Sequence, residues 1–140
     1  MVAKISTGKD LYGTLAYNQT KVEEGHAKIL DANLLPYPED GHFRMGETME
    51  AFTAWLPSHY RTEKPVIHIS LNPHPDDVLT DGQLAAIGRE YMEKLGYGNQ
   101  PFLIFKHTDI DRHHIHIVSL RVDSGAGRFP TASSTAGARK

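Results

Sequence analysis

The sequence contains no cysteine. Disulfides and thiolate metal sites are therefore excluded, and the absence fits a reducing compartment such as the cytoplasm. No apolar run approaches the roughly 20 residues of a membrane span, and the opening stretch MVAKISTGKD lacks a signal-peptide core. An excess of basic charge is missing too: 15 Lys and Arg stand against 17 Asp and Glu, a formal net charge of −2. That balance argues against a large surface that holds nucleic acid by electrostatics alone. It leaves room for phosphate chemistry at a bound cation, which would be the largest charge in its neighbourhood. Internal repeats are also lacking.

What is present is one domain's worth of chain. With 140 residues, 39% of them hydrophobic, it can bury a core. Residues 1–6 read as a first strand. Over 9–23, Leu11, Leu15 and Val22 share one helical stripe with Tyr12 and Ala16 on its flank. Tyr12 is expected to pack. Tyr17 lies nearly opposite the stripe, with Lys21 near its side, and is expected to face ligand or solvent. Gly25 closes that helix, 27–35 reads as a second strand, and Pro36, Pro38 and Gly41 mark a loop. Residues 45–56 set Met45, Met49, Phe52, Trp55 and Leu56 on one core-facing side before Pro57 stops the helix.

A third strand is expected over 65–71, with Ile67, Ile69 and Leu71 on one face and His68 on the other, as a satisfied sheet histidine in preference to a further member of the metal face. His74, Asp76 and Asp77 follow in a loop, where such residues serve first as turn formers. Thr80 and Gln83 have the spacing of a capping box. They open a helix over 82–95 that buries Leu84, Ile87, Tyr91, Met92 and Leu95 and ends at Gly96 and Gly98. Two further strands follow, both apolar on both faces, which calls for cover on each side of the sheet. This order predicts an α+β domain with a five-stranded, mainly antiparallel sheet and about three helices. From Ser124 onward no apolar periodicity survives, and 124–140 reads as a disordered tail.

The last two strands carry the chemistry. In PFLIFKHTDIDRHHIHIVSLRV, residues 101–122, one apolar run ends at His107 and the next begins with His114 and His116. Strand side chains alternate, so His114 and His116 share a face. If the runs pair as a hairpin, His107 meets His114 beside the turn. Three imidazoles then converge, a metal site with three protein ligands and open positions. H-x-H alone equally fits a solvated strand face; the third histidine and Asp109 favour the site. Asp109 could accept an N–H from a ligating imidazole and fix its tautomer.

The pattern H-x-D-x4-H-x-H-I-V resembles the third motif of mobilisation relaxases of the MobA type, within the HUH endonuclease superfamily. LYGTLAYNQTK resembles the family's first motif, the helix bearing the nucleophilic tyrosine, and 65–98 resembles its middle region. The resemblance covers roughly 1–123 and implies a five-stranded antiparallel sheet carrying the histidines. It implies that His107, His114 and His116 bind metal, that Asp109 fills the motif's acidic position and that Tyr17 is the nucleophile, with Tyr12 in reserve. The implied activity is nicking of single-stranded DNA at a plasmid or mobile-element transfer origin by transesterification, leaving a 5′-phosphotyrosyl link. Accessory mobilisation proteins are further implied partners.

Family usage implies Mg or Mn as the divalent metal, while three imidazoles also suit Zn, Co or Ni. One position departs from the pattern: many relatives carry Asn where Leu120 stands. Relatives also continue past Ser124, so 1–123 reads as a nuclease domain shortened at its C-terminal side. Other readings of the same residues are a three-histidine hydrolase that activates water without Tyr17, a cupin-like binder, and a catalytically inactive metal-binding fragment.

Overall fold

The computed structural model describes residues 2–38, 43–57, 62–74, 76–108 and 113–122. Five strands and three helices alternate along the chain: β1 (Val2–Gly8), α1 (Leu11–Glu23), β2 (Ala27–Asn33), α2 (Met45–Thr53), β3 (Val66–Asn72), α3 (Asp81–Leu95), β4 (Phe102–His107) and β5 (His114–Leu120). The strands form one sheet in the order β1-β3-β5-β4-β2, and every neighbouring pair is antiparallel. The expected class is therefore found, with the sheet antiparallel throughout. The expected elements recur with ends shifted by a few residues; the helix expected over 45–56 ends at Thr53.

Local signals set these elements. Asp10 caps α1 by accepting from the Gly13 amide at 2.8 Å. The capping box at α3 forms as the spacing predicts: Gln83 N donates to Thr80 Oγ1 at 3.1 Å and Thr80 N to Gln83 Oε1 at 2.8 Å. Gly96 ends α3 at φ +96°, a conformation that costs glycine nothing. In the loop after β3, His74 O accepts from Asp77 N at 2.9 Å, as its turn-forming residues suggest.

The sheet is covered on both faces, as the doubly apolar β4 and β5 require. On one face α3 packs Leu84 and Met92 against Ile67, Ile69, Ile104, Ile115 and Ile117. On the other, Leu11 and Leu15 of α1 and Phe52 of α2 pack against Val66, Leu103, Phe105, Val118 and Leu120. Leu120 is fully buried in this second cluster.

A register shift between Ile29 and Asp31 breaks the alternation of β2. It turns Asp31 and Asn33 toward α3, where Arg89 donates to Asp31 Oδ2 and Asn33 Oδ1, each at 2.9 Å. The planar guanidinium suits such a fork. Nearby, Asp81 at the start of α3 takes ion pairs from Lys28 on β2 and Lys106 on β4. Those two ammonium groups hold its carboxyl below the usual aspartate value; the hydrogen bond from Lys106 is the larger cause. α3 is thereby pinned to the β2–β4 edge by charge as well as by apolar contact.

Candidate metal centre and tyrosine

β4 and β5 pair so that His107 lies directly opposite His114, and His116 opposite Phe105. Directly opposed residues point to the same face, and so do residues two apart on one strand. All three histidines therefore emerge together, on the α1 face at the end of the β4–β5 hairpin where the chain passes from one strand to the other. One ligand atom from each lies within 4.8 Å of the others. Two donors about 2.1 Å from one ion stand about 3 to 3.5 Å apart, so a modest closing-in would seat a cation. Three imidazoles that each bring a ring nitrogen within 4.8 Å of the others fit a divalent ion.

The rings are packed tightly. Those of His107 and His116 stack at 3.9 Å between centroids. His116 Nε2 meets His114 Nδ1 at 3.2 Å, and its other nitrogen, Nδ1, meets His68 Nε2 at 2.9 Å. His68 arrives because β3 is the neighbour of β5, with His68 opposite Val118. The favoured expectation was a satisfied sheet histidine and the other a further member of the metal face; the partner that satisfies it is a member of the histidine cluster. Burial lowers its pKa from the ordinary histidine value, so it favours the neutral ring.

α1 supplies the tyrosine. The Tyr17 ring lies 6.0 Å from that of His107 at an interplanar angle of 16°, and 6.5 Å from that of His116. Half of Tyr17 is exposed, so its phenol can meet a ligand arriving from solvent. Lys21, one turn further along, sits 5.7 Å above the same ring. Tyr12 does not pack as expected: it is 57% exposed and no ring contact joins it to the histidines among the described residues. The buried stripe runs through Leu11, Leu15 and Asn18, and Tyr12 projects off the opposite flank from Tyr17 (about 100° per residue separates successive side chains).

Two ties hold α1 beside the end of β4. Thr108 N donates to His26 O at 2.8 Å, joining the residue after His107 to the turn after α1. Inside the interface, Asn18 Oδ1 meets His107 Nε2 at 2.8 Å. Asn18 and His107 are both fully buried. Sequence reading missed Asn18; the available signal was a polar side chain one turn after Leu15 on the same stripe. Asp109, the motif's acidic position, lies outside the described residues, as does the tail over 124–140.

Among the described residues, no helix is long and apolar enough to cross a membrane. No curated protein and no solved structure matches the chain. One family model does, and it starts at Tyr17: the relaxase family described as MobA/VirD2-like, nuclease domain, over residues 17–136. The match spans most of the 140 residues and takes in the tyrosine, the histidines and every strand after β1, so this chain belongs to the MobA/VirD2-like relaxase nuclease family.

Proposed function

We propose that the domain nicks single-stranded DNA at a transfer origin by transesterification, with Tyr17 as nucleophile and His107, His114 and His116 as ligands of a divalent metal. Family membership gives the coarse part, a relaxase-type DNA endonuclease that binds single-stranded DNA and uses a divalent metal. The observation that carries the finer part is the exposed phenol of Tyr17 stacked beside the three converging imidazoles.

In this reading the Tyr17 oxygen attacks phosphorus in line with the departing 3′ oxygen. The P–O3′ bond breaks, the phenol proton is lost, and the 3′ oxygen takes up a proton. One phosphodiester becomes one phosphotyrosyl ester, so the strand can later be rejoined without an external energy source. Phenol is a weak nucleophile at its ordinary pKa near 10, and the scissile phosphate carries charge that repels an oxyanion. A divalent ion on the imidazoles supplies the charge that offsets the build-up on the phosphate oxygens. Lys21 adds a positive group beside the phenol. The His107 ring fixes the tyrosine's position, and the helix presents it to a strand lying across the sheet end. Three nitrogen donors favour Mn over Mg on ligand chemistry.

Incubating the protein with Mn and supercoiled plasmid carrying DNA from beside its own gene should convert plasmid to the open circle. Tyr17→Phe should stop the conversion. Nicking that persists in Tyr17→Phe would replace this reading with a metal hydrolase that activates water.

A further inference from the structure

We propose that Lys4, Ser70 and Asn72 seat the DNA strand on the leaving side of the cut, with the Lys4 ammonium on the phosphate next to the scissile one. The inference rests on the reading of Tyr17 as nucleophile beside the histidines.

Sheet register draws a straight line from the histidines to the β1 edge. Ser70 on β3 lies opposite His116 on β5, and Lys4 on β1 lies opposite Ser70. Directly opposed residues share a face, so all three stand on the α1 side of the sheet. Two strand spacings, about 10 Å, separate the backbone of Lys4 from that of His116, and the long lysine stem can close part of that gap. Asn72, two residues beyond Ser70, donates from Nδ2 to Ser70 Oγ at 3.3 Å. A hydroxyl that accepts in this way still has its own proton to give to a ligand lying over the row.

This part of the sheet is open. Lys4 and Ser6 are exposed and Ser70 and Asn72 half-buried, while Ile69 and Leu71 beside them on β3 are fully buried on the other face. No residue of β1 belongs to the apolar cluster under α1 and α2. Charge is divided by face as well. Lys4, Lys28 and Lys106 are the lysines of the five strands. Asp81 holds Lys28 and Lys106 on the α3 face; Lys4 is the one in line with His116. In a chain of net charge −2, few positive groups can meet a nucleic acid, so the place of each one counts. The row holds an ammonium, a hydroxyl and an amide but no aromatic ring. It therefore suits the sugar–phosphate backbone rather than a stacked base.

The direction of the strand follows from in-line attack. Tyr17 reaches the cluster from the β4 side: its ring lies nearer His107 than His116, and the next residue, Asn18, meets His107 at 2.8 Å. The tyrosine oxygen, the phosphorus and the departing 3′ oxygen stand in one line. The 3′ oxygen thus leaves on the side away from β4, and in the sheet order β1-β3-β5-β4-β2 that side holds the row of Lys4.

The test uses the whole chain with Mn and a fluorescein-labelled, mixed-sequence 20-nucleotide single strand (a length of roughly one to a few site sizes), followed by anisotropy over a range of salt. Lys4→Gln should weaken binding roughly 3- to 10-fold at low salt and flatten the slope of log affinity against log salt by about 0.7, the value for one phosphate contact on a single strand. Lys4→Arg should keep both. Lys94→Gln removes an exposed charge from α3 on the opposite face and should change neither. In nicking assays Lys4→Gln should raise KM and leave kcat nearly unchanged. The cleaved piece that ends in the 3′ hydroxyl should inhibit the wild type more than Lys4→Gln, and the other piece should inhibit both alike.

Wild-type binding in Lys4→Gln at every salt would overturn the inference. So would equal weakening by Lys94→Gln, or inhibition that depends on Lys4 only for the piece lacking the 3′ hydroxyl. Strand binding that depends on Lys4 with no nicking at all would support the row as a strand seat and overturn the transesterification reading. Nicking whose KM ignores Lys4 would keep that reading and overturn the row.

Discussion

Ile104 and Ile117 pair across β4 and β5 on the face toward α3, and both are fully buried against Leu84 and Met92. The neighbouring residues Phe105 and His116 pair on the other face, and there the same two strands end in three histidines. One face is hydrocarbon at its centre, close-packed, with its charged pairs kept to the β2–β4 edge; Gly88 of α3 comes so near Ile104 that an added Cβ would stand 3.0 Å from its Cδ1. The other face is apolar only as far as α1 and α2 cover it, over Leu103, Phe105, Val118 and Leu120. The difference teaches how an antiparallel sheet divides its tasks. Stability is placed where both partners are apolar, and the reacting groups sit at the strand ends, held rigid by the packing behind them.

The sharpest break between the two regions should come from Tyr17→Phe. Removing the phenol oxygen should lower nicking at least about 10³-fold, the loss expected when a nucleophile is deleted. A half-exposed ring loses no packing by this change, so urea unfolding should move by no more than about 0.5 kcal/mol. Ile117→Ala is the mirror image. It empties space under α3 and should cost about 2–5 kcal/mol in the same unfolding measurement. Mn affinity measured well below the midpoint should stay unchanged, because His114 and His116 point away from the cavity. A large loss of Mn affinity in that variant would show that the two faces are not separable.

Asp81→Asn should have a smaller effect, about 1–2 kcal/mol of destabilisation. It removes the carboxylate from Lys106, whose side chain is only 11% exposed; the partial exposure of Asp81 itself keeps the figure low. The sign with pH follows from the depressed carboxyl. Its contribution is complete above the ordinary aspartate value, 3.8, and is lost as pH falls below that toward the lowered folded value. Unfolding midpoints followed into acid should therefore fall less steeply in Asp81→Asn than in the wild type. The smallest effect is expected for Tyr12→Phe, which should leave nicking, metal affinity and stability at wild-type values. Loss of nicking there would move the nucleophile to the other flank of α1.

Much of this arrangement was legible in the sequence. The period-2 spacing of His114 and His116 needs nothing beyond strand geometry, and the hairpin bringing His107 to His114 follows from two apolar runs joined by a short polar link. The capping box at Thr80 and the glycine end of α3 are equally local signals. Three things could not be decided from the sequence, for one shared reason. His68 reaches His116 because β3 lies beside β5, and strand order is set by the whole sheet rather than by any segment. Asn18 drew no reading at all, since its value depends on a ring 89 residues later in the chain. Tyr12 was expected to pack because a helical stripe has flanks; which flank is covered depends on how α1 lies over β2, and that too is tertiary. The local code placed the ligands, and the tertiary fold supplied their partners.

The most direct test of the central claim is covalent capture. The protein would be incubated with Mn and single-stranded oligonucleotides tiling the DNA upstream of its own gene, and its peptides examined by mass spectrometry. The account predicts a nucleotide-bearing peptide modified at Tyr17, present in the wild type and absent in His116→Ala. Cleaved oligonucleotide with no modified tyrosine, or an adduct on Tyr12, would contradict it.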